Sequence, residues 1–527
     1  MLAFFSGKYE YCGMKPLTTS VYTFCDLIAG KYLYVDKTAS IYELIHGYKG
    51  QYFLSRPRRF GKSLLISTLK SIFLGERELF DGLAIAEMDY DWQEYPVIHL
   101  DLGDVEAGSA EELSKSLLTR MAENAGIYDI ELHETSAPAA FRELVMQLSS
   151  RNGKVVILVD EYDKPLLGHL GNESALEIQQ ALKSFYSVIK TTEPQQRFVL
   201  LTGVSKFSKV SVFSDLNNLT DLTMQRSTAT LLGYTQDEVE NNFAEYIDAL
   251  AAELDKSRDD TLEELRMWYN GYRFEETAPT VYNPVSLMKC LQECKLKNYW
   301  FETGTPSFLI RLLRDNPIKL DNLVVPETAF SAYEPDRLDP LPLLVQTGYL
   351  TIAGAHDLGG MPCYELVYPN REIEQSFDFW IVREFSNTPA QEITGTLHLL
   401  AKALNEDNID DMLEHMKVFF AQVPNTITLK NEKYYQTIFF TIFKLLGAVV
   451  DAEVNTNIGR IDAVVKTEQN IYIFEFKLRG SAEDALWQIR EKKYAESYRD
   501  DGRSVTLIGV AFGEKERNIT NWLTEKA

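Results

Sequence analysis

Long apolar runs, paired cysteines and an excess of positive charge are all missing from this sequence. No apolar run approaches the 18 residues that a membrane-spanning helix needs, so we expect no membrane contact. Residues 1–5 are apolar, but Lys8 and Glu10 follow so soon that a signal peptide is not expected. The five cysteines include no C-x-x-C pair, which is typical of a reduced, cytoplasmic protein.

The charge balance limits the kinds of partner that the chain can bind. A net charge of −24, from 53 basic and 77 acidic residues, argues against a protein coated along its length with nucleic acid. Residues 1–75 nevertheless hold ten basic and four acidic residues, so a local nucleic-acid groove remains compatible with the acidic total. The 527 residues are too many for one core, and the 45% hydrophobic content predicts several packed domains.

A G-K-S sequence follows a short apolar run and precedes an apolar helical pattern. This layout is typical of a phosphate-binding loop, in which Lys62 reaches the β- and γ-phosphates and the Ser63 hydroxyl binds Mg²⁺. The pattern G-x-x-x-x-G-K-[ST] lacks its first glycine, because Arg56 stands there. The alternative is a chance match in a basic loop. The predicted nucleotide-binding residues are Arg58, Arg59, Phe60, Gly61, Lys62, Ser63 and Leu64.

A continuous apolar run at 155–159 is followed by two acidic residues. Such a run predicts a central parallel strand that is buried on both faces. Asp160 is then placed to bind Mg²⁺, and Glu161 to polarise the attacking water. The alternative is an ordinary strand that ends in a solvated acidic turn. Because the pair follows the G-K-S sequence by about a hundred residues, the two motifs together favour nucleotide binding.

Strand and helix patterns alternate through the first 234 residues, which predicts a right-handed parallel α/β sheet with the nucleotide at the strand C-termini. The further strands are predicted at 32–35, 96–102 and 197–203. From residue 235 the pattern becomes helical, and Thr235 and Glu238 form a predicted capping box. In this region Arg273 is a candidate phosphate contact, although a turn with packed aromatic residues explains 268–274 equally well.

The last hundred residues predict a second centre of chemistry. Segments 457–465 and 471–477 read as a β-hairpin, and the strand period places Glu475 and Lys477 on one face, within reach of Asp462. These three residues fit metal-dependent phosphodiester cleavage, in which the carboxylates bind the metal and the lysine orients the water. The alternative is a cross-strand salt bridge on an exposed sheet face.

Nearly the whole chain resembles the bacterial AAA-ATPase-like proteins that carry a C-terminal PD-(D/E)XK nuclease-like domain. The stretches that carry the resemblance are Tyr32–Thr38, Arg56–Ser63, Asp160–Asp163, Phe213–Leu219, Trp268–Tyr272 and the set Asp462, Glu475 and Lys477. An arginine at the first glycine position is typical of this group. The implied fold is a P-loop α/β sheet with a helical lid, a helical middle region and an α/β nuclease-like domain.

The resemblance implies further roles and a domain plan. Thr202 stands where AAA-type ATPases place a γ-phosphate sensor, while Glu432 and Gln488 correspond to helix residues of the nuclease core. The predicted domains are 1–234 (ATPase core), 235–320 (lid), 321–424 (helical or winged-helix-like) and 425–527 (nuclease-like). The expected cofactors are ATP with Mg²⁺, and Mg²⁺ or Mn²⁺ at the nuclease site, where the expected metal ligands are Asp462 and Glu475.

Two functions remain open from the sequence. In the first, the nucleotide state controls a metal-dependent DNA nuclease in mobile-element or defence biology. In the second, the chain is a nucleotide-operated switch or scaffold whose nuclease-like domain is catalytically inactive and serves only to bind a partner. The sequence allows a homo-oligomer but does not fix the oligomeric state.

Overall fold

The computed structural model describes most of the chain as two compact units. The described residues are 14–170, 174–205, 218–300, 309, 323–330, 340–386, 388–422, 432–446, 449–455, 460–498, 501–513, 515–516 and 518–527. The first unit comprises Met1–Glu302 with Asn316–Ile373, and the second comprises Thr303–Asp315 with Glu374–Ala527. No described helix is both long and apolar enough to cross a membrane.

The first unit is built on a parallel sheet with five described strands. They are β1 (Gly50–Ser55), β2 (Val97–Asp101), β3 (Val155–Asp160), β4 (Gln196–Gly203) and β5 (Thr220–Asp221), in the spatial order β2-β3-β4-β1-β5. Every residue of β3 and β4 is buried, which confirms the predicted central strands. Because β4 pairs in parallel with both β1 and β3, the G-K-S loop and the acidic pair follow strand ends at the same sheet edge.

Helices surround this sheet. They are α1 (Phe24–Ala29), α2 (Thr38–Ile45), α3 (Lys62–Phe73), α4 (Ala110–Ile127), α5 (Ala137–Asn152), α6 (Lys164–Leu167) and α7 (Ser174–Thr191). Short 3-10 helices lie at Arg77–Phe80, Ala84–Glu87, Glu193–Gln195 and Arg226–Thr228. The P-loop α/β architecture is therefore confirmed.

The strand predicted at 32–35 is wrong. Residues 32–37 belong to no helix or strand. The Leu33 N–H donates instead to the Pro16 carbonyl, and Val35 is buried in an apolar cluster with helical residues such as Ile247 and Leu287. The apolar side chains of Leu33 and Val35 are thus buried, Leu33 in part, by packing against helices and not by pairing in a sheet.

A layer of helices follows the sheet in the sequence. It contains α8 (Gln236–Asn242), α9 (Ala244–Leu254), α10 (Arg258–Tyr269) and α11 (Pro284–Glu293). The predicted capping box is present, since the Thr235 hydroxyl accepts from the Glu238 N–H and the Glu238 carboxylate accepts from the Thr235 N–H. The layer supplies most of the buried residues of the cluster around Val35.

The first unit also contains a small antiparallel sheet. Its strands β6 (Leu323–Pro326), β7 (Thr351–Asp357) and β8 (Pro362–Val367) have the order β6-β8-β7. A 3-10 helix at Glu327–Phe330 and helix α12 (Pro340–Gln346) lie near it in the sequence. The winged-helix-like interpretation of this region stays a prediction.

The second unit combines helices with a mixed sheet. Helix α13 (Arg371–Ser386) begins in the first unit, which includes residues up to Ile373, and continues into the second. It is followed by α14 (Ala390–Asn405), α15 (Ile409–Gln422), α16 (Glu432–Leu445) and α17 (Ala482–Glu491), with a 3-10 helix at Tyr494–Tyr498. The strands are β9 (Val449–Asn455), β10 (Arg460–Lys466), β11 (Asn470–Lys477), β12 (Ser504–Gly513) and β13 (Asn518–Lys526), in the order β13-β12-β11-β10-β9. Strands β10 and β11 form the predicted antiparallel hairpin, while β11 and β12 are parallel and α17 connects them.

Candidate nucleotide and nuclease sites

The G-K-S loop connects the end of β1 to the start of α3. Gly61 has φ +90°, in the left-handed region where glycine costs least, and the backbone turns there into the helix that Lys62 begins. Arg59 also has a positive φ, of +67°. A residue other than glycine adopts this conformation only when its surroundings hold it there.

Arg56, at the position of the missing glycine, is a buried anchor for the loop. Its N–H donates to the Gly203 carbonyl at the end of β4. Its guanidinium donates to the carbonyls of Ser55 and Thr223 at 2.8 Å and of Thr228 at 2.9 Å. Burial lowers the pKa of Arg56 to about 9, opposed by the charge of Asp221. At this position a glycine would give the backbone conformational freedom. Here the Arg56 side chain instead fixes the loop through its hydrogen bonds.

Lys62 lies inside the loop. The residue is only 6% exposed, and its Nζ donates to the carbonyls of Arg56 and Pro57, both at 3.0 Å. Burial lowers the pKa of Lys62, and the carboxylates of Asp160, Asp163 and Glu161 oppose this shift, in that order. The lysine of the loop and the acidic residues after β3 thus belong to one electrostatic site.

The other loop residues divide into those that are anchored and those that are partly open. Phe60 is buried, with its ring centre 4.8 Å from that of Tyr272 and 5.4 Å from that of Phe274. The Arg59 guanidinium donates to the Tyr299 carbonyl at 2.8 Å. Arg58, Ser63 and Leu64 are half-buried.

The stretch 268–274 is used for packing. The N–H of Arg273 donates to the Thr351 hydroxyl, and its guanidinium donates to the Ala353 carbonyl at 2.8 Å. Of the two interpretations made from the sequence, the packed aromatic turn describes this stretch.

Thr202, near the end of β4, forms a hydrogen bond to the acidic pair. Its buried hydroxyl donates to Asp160 Oδ1 at 2.7 Å, and the Glu161 N–H donates to the same oxygen at 3.0 Å. Glu161 has φ +50°, a conformation that costs a non-glycine residue about 1–3 kcal/mol. Burial raises the pKa of Glu161, and Lys164 and Lys62 oppose the shift. The contact with Asp160 makes Thr202 a positioning group; its sensor role stays a prediction.

Asp163 is a site residue that the sequence analysis did not assign. Its buried carboxylate accepts from the N–H groups of Val204 and Ser205 and from the Ser205 hydroxyl. Burial raises its pKa, opposed by Ser205 and Lys62. The available signal was its place two residues after Glu161, but its partners follow β4 and could be found only from the strand order.

A cavity of about 140 Å³ lies beside the loop. Its wall is mainly apolar and includes Leu33, Val35, Phe60, Leu64, Leu232 and Met288. Gly61 and the hydroxyl-bearing residues Thr18, Tyr34 and Thr68 also line it. No local sequence pattern predicts this cavity, because its wall comes from the segment at 32–35, the loop and the helical layer.

In the second unit, β11 and α17 bring three predicted residues together. Lys477 Nζ donates to Glu475 Oε1 at 2.9 Å and to Gln488 Oε1 at 2.6 Å, and the Gln488 amide donates to Glu475 Oε1. The Glu475 side chain is 3% exposed and that of Lys477 is 25% exposed. Asp462, on the neighbouring strand, accepts from the Phe476 N–H at 2.9 Å. The salt-bridge alternative assumed that Glu475 and Lys477 lie on an exposed sheet face. Their burial contradicts that assumption.

The opposite face of β11 is apolar. The rings of Phe474 and Phe476 are parallel within 9°, and both contact Phe439 of α16, with ring centres 4.9 Å away. This arrangement confirms that the phenylalanines face away from Glu475 and Lys477. Helix α16 begins at Glu432, but the side chain of Glu432 lies outside the described residues. Most of the stretch Phe213–Leu219 lies outside them as well, with only Asn218 and Leu219 described.

Both candidate metal sites combine oxygen donors. Within the described part of the chain, no group of three or more His, Cys, Asp or Glu residues is arranged around a common metal position. Ser63 with Asp160, and Asp462 with Glu475, supply hydroxyl and carboxylate oxygens, the donors that Mg²⁺ prefers. The donor chemistry at each site therefore fits Mg²⁺ together with oxygens from substrate or water.

Comparisons with known proteins match the two parts of the chain that hold these candidate sites to two different families. Residues 18–213 match the family model described as a predicted AAA-ATPase, and residues 430–522 match that of the PD-(D/E)XK nuclease superfamily. An uncharacterised protein in the vnfD 5′ region of Azotobacter chroococcum mcd 1 is 37% identical over 528 residues, which covers 97% of this chain and 99% of the relative.

Two solved structures from Aeropyrum pernix also match, with low TM-scores. The ORC1 protein, in complex with DNA, is 11% identical, with 65% of this chain and 91% of that chain covered and a TM-score of 0.25. The ORC2 protein, in ADPNP–ADP complexes, is 13% identical, with 70% and 96% covered and a TM-score of 0.26. Scores this low carry no argument about function. The family models and the bacterial relative show that the chain belongs to the AAA-ATPase-like proteins with a C-terminal PD-(D/E)XK nuclease-superfamily domain.

Proposed function

We propose that the chain binds and hydrolyses ATP with Mg²⁺ and that its nucleotide state controls a metal-dependent DNA nuclease in the C-terminal domain. The observation that carries the first half is the burial of Lys62 in the loop, in the electrostatic field of Asp160 and Glu161. A buried ammonium group at the N-terminus of a helix, beside carboxylates that can hold Mg²⁺, suits a polyphosphate.

The nucleotide site assigns a role to each element. The loop N–H groups from Arg58 to Leu64 and the N-terminus of α3 bind the phosphates, and Lys62 reaches the β- and γ-phosphates. Ser63 and Asp160 hold Mg²⁺, while Glu161 orients the attacking water. Thr202 keeps Asp160 in place through its hydroxyl and is the proposed γ-phosphate sensor. The apolar cavity beside Phe60 and Leu64 accepts the base.

At the nuclease site, Asp462 and Glu475 are the proposed ligands of Mg²⁺ or Mn²⁺. The metal supplies Lewis-acid activation of water and phosphate. Lys477 orients that water and offsets the charge that develops on the phosphodiester, and Gln488 fixes both Glu475 and Lys477. Glu432 is proposed as a further carboxylate from α16.

The broader assignments are also proposals. They are a DNA substrate, a cytoplasmic location, a role in mobile-element or defence biology, and the domain boundaries at residues 234, 320 and 424. The competing function, a nucleotide-operated switch whose nuclease-like domain only binds, is favoured by the net charge of −24, which opposes contact with DNA.

One purified sample tests both halves. Mg²⁺-ATP hydrolysis and plasmid cleavage are measured for the wild type, Lys62→Ala and Asp462→Asn, with and without ATP. We expect Lys62→Ala to abolish hydrolysis and ATP-dependent changes in cleavage, and Asp462→Asn to abolish cleavage alone. Hydrolysis without nicking in Mg²⁺ or Mn²⁺ would favour the switch, and the absence of nucleotide binding would overturn the first half.

A further inference from the structure

Glu372, far from the G-K-S sequence, is linked to the loop through two hydrogen-bonded steps. Its carboxylate is buried, and Oε1 accepts from the N–H groups of Tyr299 at 2.7 Å and of Trp300 at 2.8 Å. The Glu372 carbonyl accepts from the Asn298 amide at 2.8 Å. The carboxylate therefore fixes the backbone at 298–300 at its N–H groups.

The same segment anchors the loop. The carbonyl of Tyr299 accepts from the Arg59 guanidinium at 2.8 Å. The Tyr299 side chain is buried, and its hydroxyl donates to the Lys295 carbonyl at 3.0 Å. Tyr299, whose carbonyl accepts from Arg59, is thus fixed by hydrogen bonds of both its backbone and its side chain.

Arg59 needs such an anchor because of its backbone conformation. Its φ of +67° is unfavourable for a residue with a Cβ and persists only where neighbouring contacts determine it. Phe60 and Gly61, which follow, lead into Lys62 and Ser63. A shift at Arg59 therefore changes the direction in which the loop presents its N–H groups.

We propose that Glu372 is a positioning residue of the nucleotide site, which holds the phosphate loop through Tyr299 and Arg59. The inference rests on the proposed nucleotide binding at Lys62. Glu372 touches no reacting atom in this scheme; it fixes the acceptor that keeps the Arg59 side chain, and with it the loop, in place.

The ionisation of Glu372 gives the proposal a readout that a merely structural role would not move. Burial raises the pKa of Glu372 to about 7, and the N–H groups of Trp300 and Tyr299, the Ser286 hydroxyl and the Arg59 charge oppose the shift. The other titratable groups that face it are Tyr269, Tyr272 and Cys290. Since an ionised carboxylate accepts hydrogen bonds more strongly than a protonated one, the anchor is firmer at pH 8 than at pH 6.

The test is the affinity of the full chain for a fluorescent ATP analogue with Mg²⁺. We expect Glu372→Ala to weaken binding about tenfold and Glu372→Gln to weaken it less, because the amide oxygen still accepts. Glu293→Gln is the matched control: Glu293 accepts from the Tyr299 hydroxyl at 3.3 Å but not from its backbone, and this variant should bind as the wild type does.

A double-mutant cycle with Arg59→Ala separates an indirect effect from two independent ones. If Glu372 acts through Arg59, the double variant Glu372→Ala/Arg59→Ala binds no more weakly than the weaker single variant. Additive losses would overturn the proposal. If Glu372→Ala does not fold, the cycle is run with Glu372→Gln, which keeps the shape of the side chain.

The pH profile completes the test. The ratio of affinities at pH 8 and pH 6 should be larger for the wild type than for Glu372→Gln, and the titration of the nucleotide itself cancels in this comparison. Equal ratios, or a Glu372→Gln affinity equal to that of the wild type, would overturn the proposal. If Lys62→Ala bound the analogue as the wild type does, the proposed function itself would fail.

Discussion

The guanidinium carbon of Arg56 lies 4.0 Å from the centre of the Phe274 ring. This cation–π contact adds to the hydrogen bonds that the guanidinium makes to three carbonyl groups. Phe274 also packs against Phe60, so two side chains of the loop meet the same ring. The phosphate loop of this family member is therefore part of a packed core and not a glycine-rich surface turn.

The first prediction concerns Arg56, which stands where the motif usually has its first glycine. Arg56→Gly restores the usual motif but removes the donors of the Thr223 and Thr228 carbonyls, so we expect the free energy of unfolding to fall by about 3 kcal/mol. Urea denaturation measures it. Arg58→Gly, at a half-buried arginine of the same loop, should cost less than about 1 kcal/mol. Equal stability of the two variants would contradict the anchoring role.

The second prediction concerns the hydrogen bond between Thr202 and Asp160. Thr202→Val keeps the shape of the side chain but removes the donor to Oδ1, so we expect ATP hydrolysis to fall about tenfold while nucleotide binding is retained. Thr261→Val in α10 is the control, because its hydroxyl is also buried but donates to the Ser257 carbonyl of its own helix start and not to a site residue. Its turnover should be unchanged, and a Thr202→Val turnover equal to it would rule out the positioning role.

The third prediction concerns Gln488. Removing its amide in Gln488→Ala frees Glu475 and Lys477 to reorient, and the loss of such a supporting contact lowers metal affinity or activity by about 10–100-fold. Mg²⁺-dependent plasmid nicking measures the effect. Glu483→Ala, at an exposed position of the same helix, should nick at the wild-type rate. A fully active Gln488→Ala would mean that the pair does not depend on Gln488.

The fourth prediction concerns stability and pH. The pKa of Glu372 is about 7 in the folded chain, above its ordinary value of 4.5. The folded state therefore binds the proton more tightly, and this stabilising contribution is complete below pH 4.5 and is lost as the pH rises to about 7. Relative to Glu372→Gln, the wild type should lose about 3 kcal/mol over this range. Urea denaturation between pH 5 and pH 8 tests it, and parallel profiles would contradict the raised pKa.

The sequence predicted the features that depend on short stretches of chain. The buried strand before Asp160 and Glu161 follows from five consecutive apolar residues, and the shared face of Glu475 and Lys477 follows from the strand period. Both are local regularities of the backbone. The same reasoning failed at 32–35, where a short apolar stretch fits a strand equally well but pairs with no strand of the described residues.

The contacts that join distant parts of the chain were not predictable in this way. Nothing around Thr228 or Phe274 marks either residue as a partner of Arg56, and Glu372 reads as an ordinary residue in the first turn of a helix. The order β2-β3-β4-β1-β5 determines that Thr202 meets Asp160. Such pairings depend on tertiary packing, which a single sequence does not encode in any local pattern.

During protein synthesis, the G-K-S loop is made well before the residues that anchor it. Arg56 reaches Thr228, 172 residues later, and Arg59 reaches Tyr299, 240 residues later. At about 5–20 residues per second, a ribosome needs roughly 12–48 s to make the second stretch. A nascent chain that ends before Tyr299 carries the full G-K-S sequence and the partners of Arg56, but lacks the carbonyl that holds Arg59. If the loop binds nucleotide as proposed, we expect binding to begin only after the helical layer has been translated.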